Sequence, residues 1–293
     1  MYYIAIMNRI LLTLVLVLAL PACGRSQERT APDAVAAVNE DSLIFTRTIE
    51  RAQRGRLDTL PVGEIIAQVG SWFVGTPYTP HTIEQPGPEQ LVINLREFDC
   101  VTFVENMLAF ARTIRAGHTD FAVFRNEIQR LRYRDGTIDG YPSRLHYFSE
   151  WIANNDAKGI VRNETPSLGI IDPEPIDFMS THRESYRQLT DATFYDQIVA
   201  MEKGLTAAPR YMIPQDRIAQ FEQHVRNGDV IAATSSVKGL DIAHTGIAFW
   251  RDGRLHLMHA PLVGDSVEIS PRPLADRILE IPRQDGIMVA RPL

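Results

Sequence analysis

Asp252-Gly253 interrupts two runs of strand character, His244 to Trp250 and Leu255 to His259, and these two residues constrain the fold more than any other pair in the chain. An Asp-Gly loop of two residues closes a β-hairpin whose turn twist matches that of the paired strands. The register follows by counting: Arg251 opposite Arg254, Trp250 opposite Leu255, Ala248 opposite Leu257 and Gly246 opposite His259. Opposed residues share a face, so His244, Gly246, Leu257 and His259 project to one side and His256, opposite Phe249, to the other. Gly246 leaves room for the His244 and His259 rings to meet diagonally, and His256 is expected to be a partly exposed strand residue.

Around this hairpin the last 65 or so residues read as strands, with further runs at Asp229 to Ala233, Val267 to Ile269 and Gly286 to Arg291. The middle of the chain reads as helices. Val62, Ile65, Ile66, Val69 and Phe73 recur at helical spacing after Pro61, as do Phe121, Phe124, Ile128 and Leu131. Leu145, Phe148 and Ile152 predict a third helix, and Ile218, Phe221 and Val225 a fourth ending at Asn227-Gly228. Helices followed by an antiparallel sheet define an α+β fold. The chain is 45% hydrophobic, enough for a core, and its net charge of -6 does not indicate an electrostatic nucleic-acid surface.

The chain has two cysteines, and their surroundings separate them. Ile10 to Leu20 is almost wholly apolar, follows Arg9 and precedes Pro21-Ala22-Cys23; it is too short to span a bilayer and long enough for the core of a signal peptide. Met7 makes a more ordinary start than Met1. Leu20-Pro21-Ala22-Cys23 resembles a bacterial lipobox, with a plain secretory leader as the alternative. The lipobox reading makes residues 1-23 a lipoprotein signal, Cys23 an acylated anchor, 24-40 a polar tether and 41-293 the functional domain. Gly24 after Cys23 matches lipoproteins of the outer membrane, so the expected location is the periplasmic face of that membrane.

Cys100 opens a helix whose buried stripe is Val104, Met107, Leu108, Ala111 and Ile114, with Asp99 as N-cap. Unpaired N-H groups and the helix dipole there favour a thiolate. The plain alternative is a buried cysteine acting as a small hydrophobe. The histidines of the hairpin weigh against it, because a cysteine nucleophile needs one imidazole as base and a second polar group to orient that base. A zinc site from His244, His256 and His259 is the other reading, but His256 is expected on the opposite face.

Gly75-Thr76-Pro77-Tyr78, Phe98-Asp99-Cys100, His244-Thr245-Gly246-Ile247 and Met258-His259-Ala260-Pro261 resemble, in that order, the NlpC/P60 cell-wall cysteine hydrolases. The similarity is closer to the divergent DUF1460, or N-acetylmuramoyl-L-alanine amidase-like, branch. Asp99 to Glu105, Ser143 to Phe148, Phe178-Met179-Ser180 and Gly239 to His244 carry it, over roughly Asp41 to Leu293. The resemblance implies a papain-like fold with Cys100 as nucleophile, His244 as general base and His259 as orienter. It implies cleavage between N-acetylmuramic acid and L-alanine in peptidoglycan fragments such as anhydro-muropeptides, without metal or other cofactor. Tyr78, Asp99, Arg144, His146, Tyr147 and Asp241 become candidate substrate-binding residues; Arg144 suits peptide carboxylates, and Asp241 equally suits capping or orienting the His244 strand. Asp99-Cys100-Val101-Thr102 departs from the usual Asp-Cys-Ser-Gly, and a long helical stretch from Thr119 to about Arg226 separates Cys100 from His244. Stem-peptide endopeptidase specificity is therefore the alternative, and a non-catalytic, lipid-anchored muropeptide-binding protein is a third reading.

Overall fold

A computed structural model describes the backbone of residues 31 to 293 and the side chains of residues 40 to 293, so Cys23 and its leader lie outside the described residues. The fold is α+β, as expected. Helices α1 (Ala31–Arg54), α2 (Val62–Ser71), α3 (Cys100–Arg115), α4 (Phe121–Arg132) and α5 (Phe148–Ala157) come first. Strands β1 (Val161–Asn163) and β2 (Ile170–Asp172), helix α6 (Ala192–Ala207) and β3 (Arg210–Pro214) follow. The chain then enters β4 (Val230–Ser235), β5 (Ile242–Arg251), β6 (Arg254–His259), β7 (Glu268–Ile269), α7 (Leu274–Glu280) and β8 (Gln284–Pro292). Helix α1 takes in the last residues of the stretch read as a tether, and from Phe45 onward it packs into the core.

The sheet runs in the order β2-β3-β8-β4-β5-β6-β7, with β1 also pairing β8. Its described pairs are all antiparallel, and both faces are covered. Alternation along β4 shows this directly: Val230 and Ala232 join the core under α2 to α5, while Ile231 and Ala233 join a second core under α7. A third cluster, around Tyr147, Phe178, Leu189 and Ile198, packs the segment between α5 and β3.

The hairpin has the expected register, with Ala248 opposite Leu257 and Phe249 opposite His256. Asp252 and Gly253 both take positive φ, as this turn type requires. Several predicted helices differ. Leu145 stands ahead of α5 rather than inside it, and the segment around Ile218, Phe221 and Val225 is a run of single turns, Ile218–Phe221 being the only α-helical one. The stretch from Thr119 to Arg226 contains β1, β2 and β3 as well as helices.

Candidate active site

Helix α3 starts at Cys100 because Asp99 caps it. The Asp99 Oδ1 accepts from the N-H groups of Val101 (3.0 Å) and Thr102 (2.8 Å), and the Asp99 N-H donates to Thr102 Oγ1 (2.9 Å). This reciprocal cap is worth about 1 kcal/mol and holds Cys100 in the first turn. The capping reading of Asp99 is therefore right, but as a substrate ligand it is poorly placed: it is fully buried, and its free Oδ2 meets no donor. Burial raises the Asp99 carboxyl to about 6.

The thiol departs from expectation in its charge. Burial, then the Asp99 carboxylate, push Cys100 above the ordinary cysteine value, against a weaker opposing pull from the Thr245 amide and hydroxyl. Desolvation outweighs the helix N-terminus because a buried thiolate loses its water while the carboxylate beside it repels it. These surroundings favour the neutral thiol over the thiolate.

Thr245 places that thiol relative to the histidines. Ala248 bonds toward β4 through both its N-H and its C=O. Backbone amides alternate sides along a strand, so the Thr245 amide points away from β4, toward the line that β6 leaves after His259. Cys100 thus lies beside Thr245 of β5, the residue that follows His244. A bulge adds Ala243 to β5 immediately before His244, with Ala233 opposite His244 and Thr234 opposite Ile242. Bulges bend a strand and re-aim the neighbouring side chain.

His244 and His259 meet as the register requires. His244 Nε2 lies 2.7 Å from His259 Nδ1, with the rings edge to face at 85°. Gly246 makes this possible, because a Cβ there would come within 2.8 Å of Leu257 and 2.9 Å of the His259 Cβ. The bond occupies Nε2 of His244 and leaves Nδ1 as its second ring nitrogen. Burial, then the guanidinium of Arg277, lower His244 to about 3; burial, His244 and Arg277 lower His259 further. Both rings are neutral at physiological pH, which is the state a general base needs. His256 is on the opposite face, but it is buried rather than partly exposed, with Nδ1 2.8 Å from the Ser270 carbonyl. The three histidines do not converge on one point.

Beside His244 a cavity of about 370 Å³ is lined by Val237, Leu240, Ala243, Pro261, Val263 and Arg277 among others. No carboxylate lines it among the described residues. Tyr78 is half-buried near the thiol, its hydroxyl pushed up by burial and by charge on Cys100 and Asp99.

Three other candidates hold the scaffold together instead. Arg144 is buried against Glu84 (2.7 Å) and Glu89 (3.5 Å), so its carboxylates come from the protein itself. Tyr147 donates to Glu202 (2.7 Å) and accepts from the Met179 N-H (2.9 Å). Asp241 accepts from the N-H of Ser149 in the first turn of α5 (2.8 Å) and from Ile242 N-H (2.7 Å), tying α5 to the His244 strand. His146 stacks on Tyr141 and contacts the Tyr141 carbonyl (2.8 Å); with Arg144 it lines a separate small pocket beside Val101. Sequence reasoning missed Thr245, Glu268 and Arg277, whose positions depend on β5, β7 and α7 coming together.

In this mixed fold a capped cysteine lies beside Thr245, the residue that follows one member of a bonded histidine pair on an antiparallel sheet. A family model, N-acetylmuramoyl-L-alanine amidase-like (AmiA-like), matches residues 68–287, and the chain belongs to that family. It is similar to the crystal structure of an N-acetylmuramoyl-L-alanine amidase from Bacteroides uniformis, with 35% identity, a TM-score of 0.75, and 79% of this chain and 98% of that chain covered. A Bacteroides fragilis structure, described only provisionally as a xylanase, shares 37% identity over 76% of this chain and 98% of that one, with a TM-score of 0.72. A Legionella pneumophila protein of the DUF1460 family shares the fold at 19% identity, with a TM-score of 0.63 over 88% of this chain and 96% of that one. No curated protein matches the chain by sequence.

Proposed function

We propose that this protein is a cysteine-dependent N-acetylmuramoyl-L-alanine amidase acting on peptidoglycan fragments, anhydro-muropeptides above all. The observation that carries the reading is the His244–His259 bond, next to the residue whose amide meets Cys100, in a chain of the amidase-like family. Cys100 gives its proton to Nδ1 of His244 as its sulfur attacks the lactyl carbonyl carbon, and the Cys100 N-H, which the Asp99 cap does not take up, receives the oxyanion. The C-N bond breaks, the His244 proton goes to the departing L-alanine nitrogen, and the lactyl group remains as a thioester. Water, deprotonated by His244, then releases the acid and restores the thiol. Because burial favours the neutral thiol and the neutral imidazole, the Cys100 proton has an acceptor in His244.

A xylanase reading fits less well, because glycoside hydrolysis ordinarily takes two carboxyl groups flanking the sugar bond and the cavity at His244 has none. Digestion of a defined anhydro-muropeptide beside the free stem peptide, followed by mass spectrometry, tests the proposal. Release of the whole stem peptide with an N-terminal L-alanine is expected. Cleavage within the stem peptide instead would make the protein an endopeptidase.

We place the protein at the periplasmic face of the outer membrane through acylated Cys23, a proposal resting on the lipobox-like Leu20 to Cys23. Two or more acyl chains suffice for firm anchoring. Cys23→Ser is expected to shift the protein to the soluble periplasmic fraction with its activity intact, and unchanged membrane association would refute the anchor.

A further inference from the structure

The site contains a third member behind the histidine pair. Strand β7 sets Glu268 directly opposite His259. There, Glu268 Oε1 lies 3.4 Å from His259 Nε2. That nitrogen is buried and makes no hydrogen bond to any other group. The Glu268 side chain keeps about 40% of its exposure, so its carboxylate is solvated on one side and aimed at the ring on the other. A separation of 3.4 Å is long for a formed bond, and catalytic hydrogen bonds commonly tighten only when substrate arrives.

We propose that Glu268 is a positioning residue that selects the tautomers of both histidines and so makes His244 a base. Two arrangements satisfy the 2.7 Å contact between the rings. In the first, Nε2-H of His244 donates to Nδ1 of His259, His259 carries its proton on Nε2, and Nδ1 of His244 keeps a lone pair for the Cys100 proton. In the second, Nδ1-H of His259 donates to Nε2 of His244, the His244 proton moves to Nδ1, and the ring has nothing with which to accept from the thiol. A carboxylate at Nε2 of His259 accepts a hydrogen bond in the first arrangement and faces a lone pair in the second. Glu268 therefore disfavours the inert pairing, and it also stabilises the imidazolium that His244 becomes during attack. Among the charged groups around the pair, Arg277 from α7 acts in the opposite sense, and Asp99 at the start of α3 acts on the thiol.

The inference rests on the cysteine amidase reading for its kinetic consequence, but the tautomers can be read without turnover. Nitrogen-15 shifts of the imidazoles, recorded in Cys100→Ala protein with and without Glu268→Ala, are expected to show Nε2-protonated His244 and His259 with Glu268 present and a mixture in its absence. In active protein, Glu268→Ala is expected to lower kcat roughly 10- to 100-fold with KM little changed, as loss of a group behind a reacting one commonly does. The acidic limb of kcat/KM should move to lower pH, because a carboxylate favours the imidazolium. Glu268→Asp should recover part of the loss. Unchanged tautomers in Glu268→Ala overturn the proposal whether activity survives or falls, as does an unshifted acidic limb. Should Cys100→Ala protein remain active, the cysteine mechanism fails while the tautomer result stands on its own.

Discussion

Cys100→Ala is expected to abolish hydrolysis, by at least about a thousandfold, while leaving the fold intact. The substitution removes one sulfur from a side chain at the mouth of α3, a loss of about 1 kcal/mol of burial at most. The Asp99 to Thr102 cap, which sets the helix start, does not involve that side chain. Thermal unfolding measured beside activity separates the two effects. Charge at the thiol gives a companion result. Because burial and Asp99 hold Cys100 above the ordinary cysteine value, inactivation by iodoacetamide should accelerate steadily from about pH 7 to about pH 9. A rate already at its plateau at pH 7 would show a preformed thiolate and a different resting state. Full activity in Cys100→Ala, or inactivation by chelators with no effect of alkylation, would replace the cysteine mechanism with a metal one.

His259→Ala should reduce turnover by about two orders of magnitude or more, since it strips His244 of the partner that fixes its ring and tautomer. His256→Ala should turn over substrate near the wild-type rate, because that ring hangs from the other face of β6. It should not be silent in stability. His256 is buried on the Ser270 carbonyl and 3.1 Å from an Arg251 nitrogen, and loss of such contacts costs about 1 to 2 kcal/mol. Equal kinetic losses in the two variants would contradict the assignment of roles across the hairpin.

The parts of this site that were legible in the sequence are those encoded by local periodicity. A two-residue turn between alternating strands dictates which side chains share a face, so the meeting of His244 and His259 could be counted out residue by residue. The cap at Asp99 was legible for the same reason, since its partners lie within three residues. Glu268 was not, because its place opposite His259 depends on how the loop from Ala260 to Val267 returns to the sheet. The charge of Cys100 was hidden too: the helix terminus is local, but the burial that outweighs it comes from tertiary packing, which no local pattern carries. Arg144 looked like a ligand for substrate carboxylates because Glu84 and Glu89, its actual partners, sit in an irregular segment without pattern. Helix α6 lies inside the stretch read as helical, and its stripe of Phe194, Ile198, Met201 and Leu205 packs into the third cluster.

The position of β8 governs when this sheet can form. Strand β8 lies between β4 on one side and β1 with β3 on the other, and Val161 pairs with Pro292 across about half of the domain's length. A ribosome delivers Gln284 to Pro292 after every other described strand. Until then β4 has one neighbour instead of two, and β1 and β3 have no place to dock. Non-local pairing of this kind is closed late and slowly. Assembly of the whole sheet therefore waits on β8, and the core behind the thiol and the imidazoles closes only once that strand has docked.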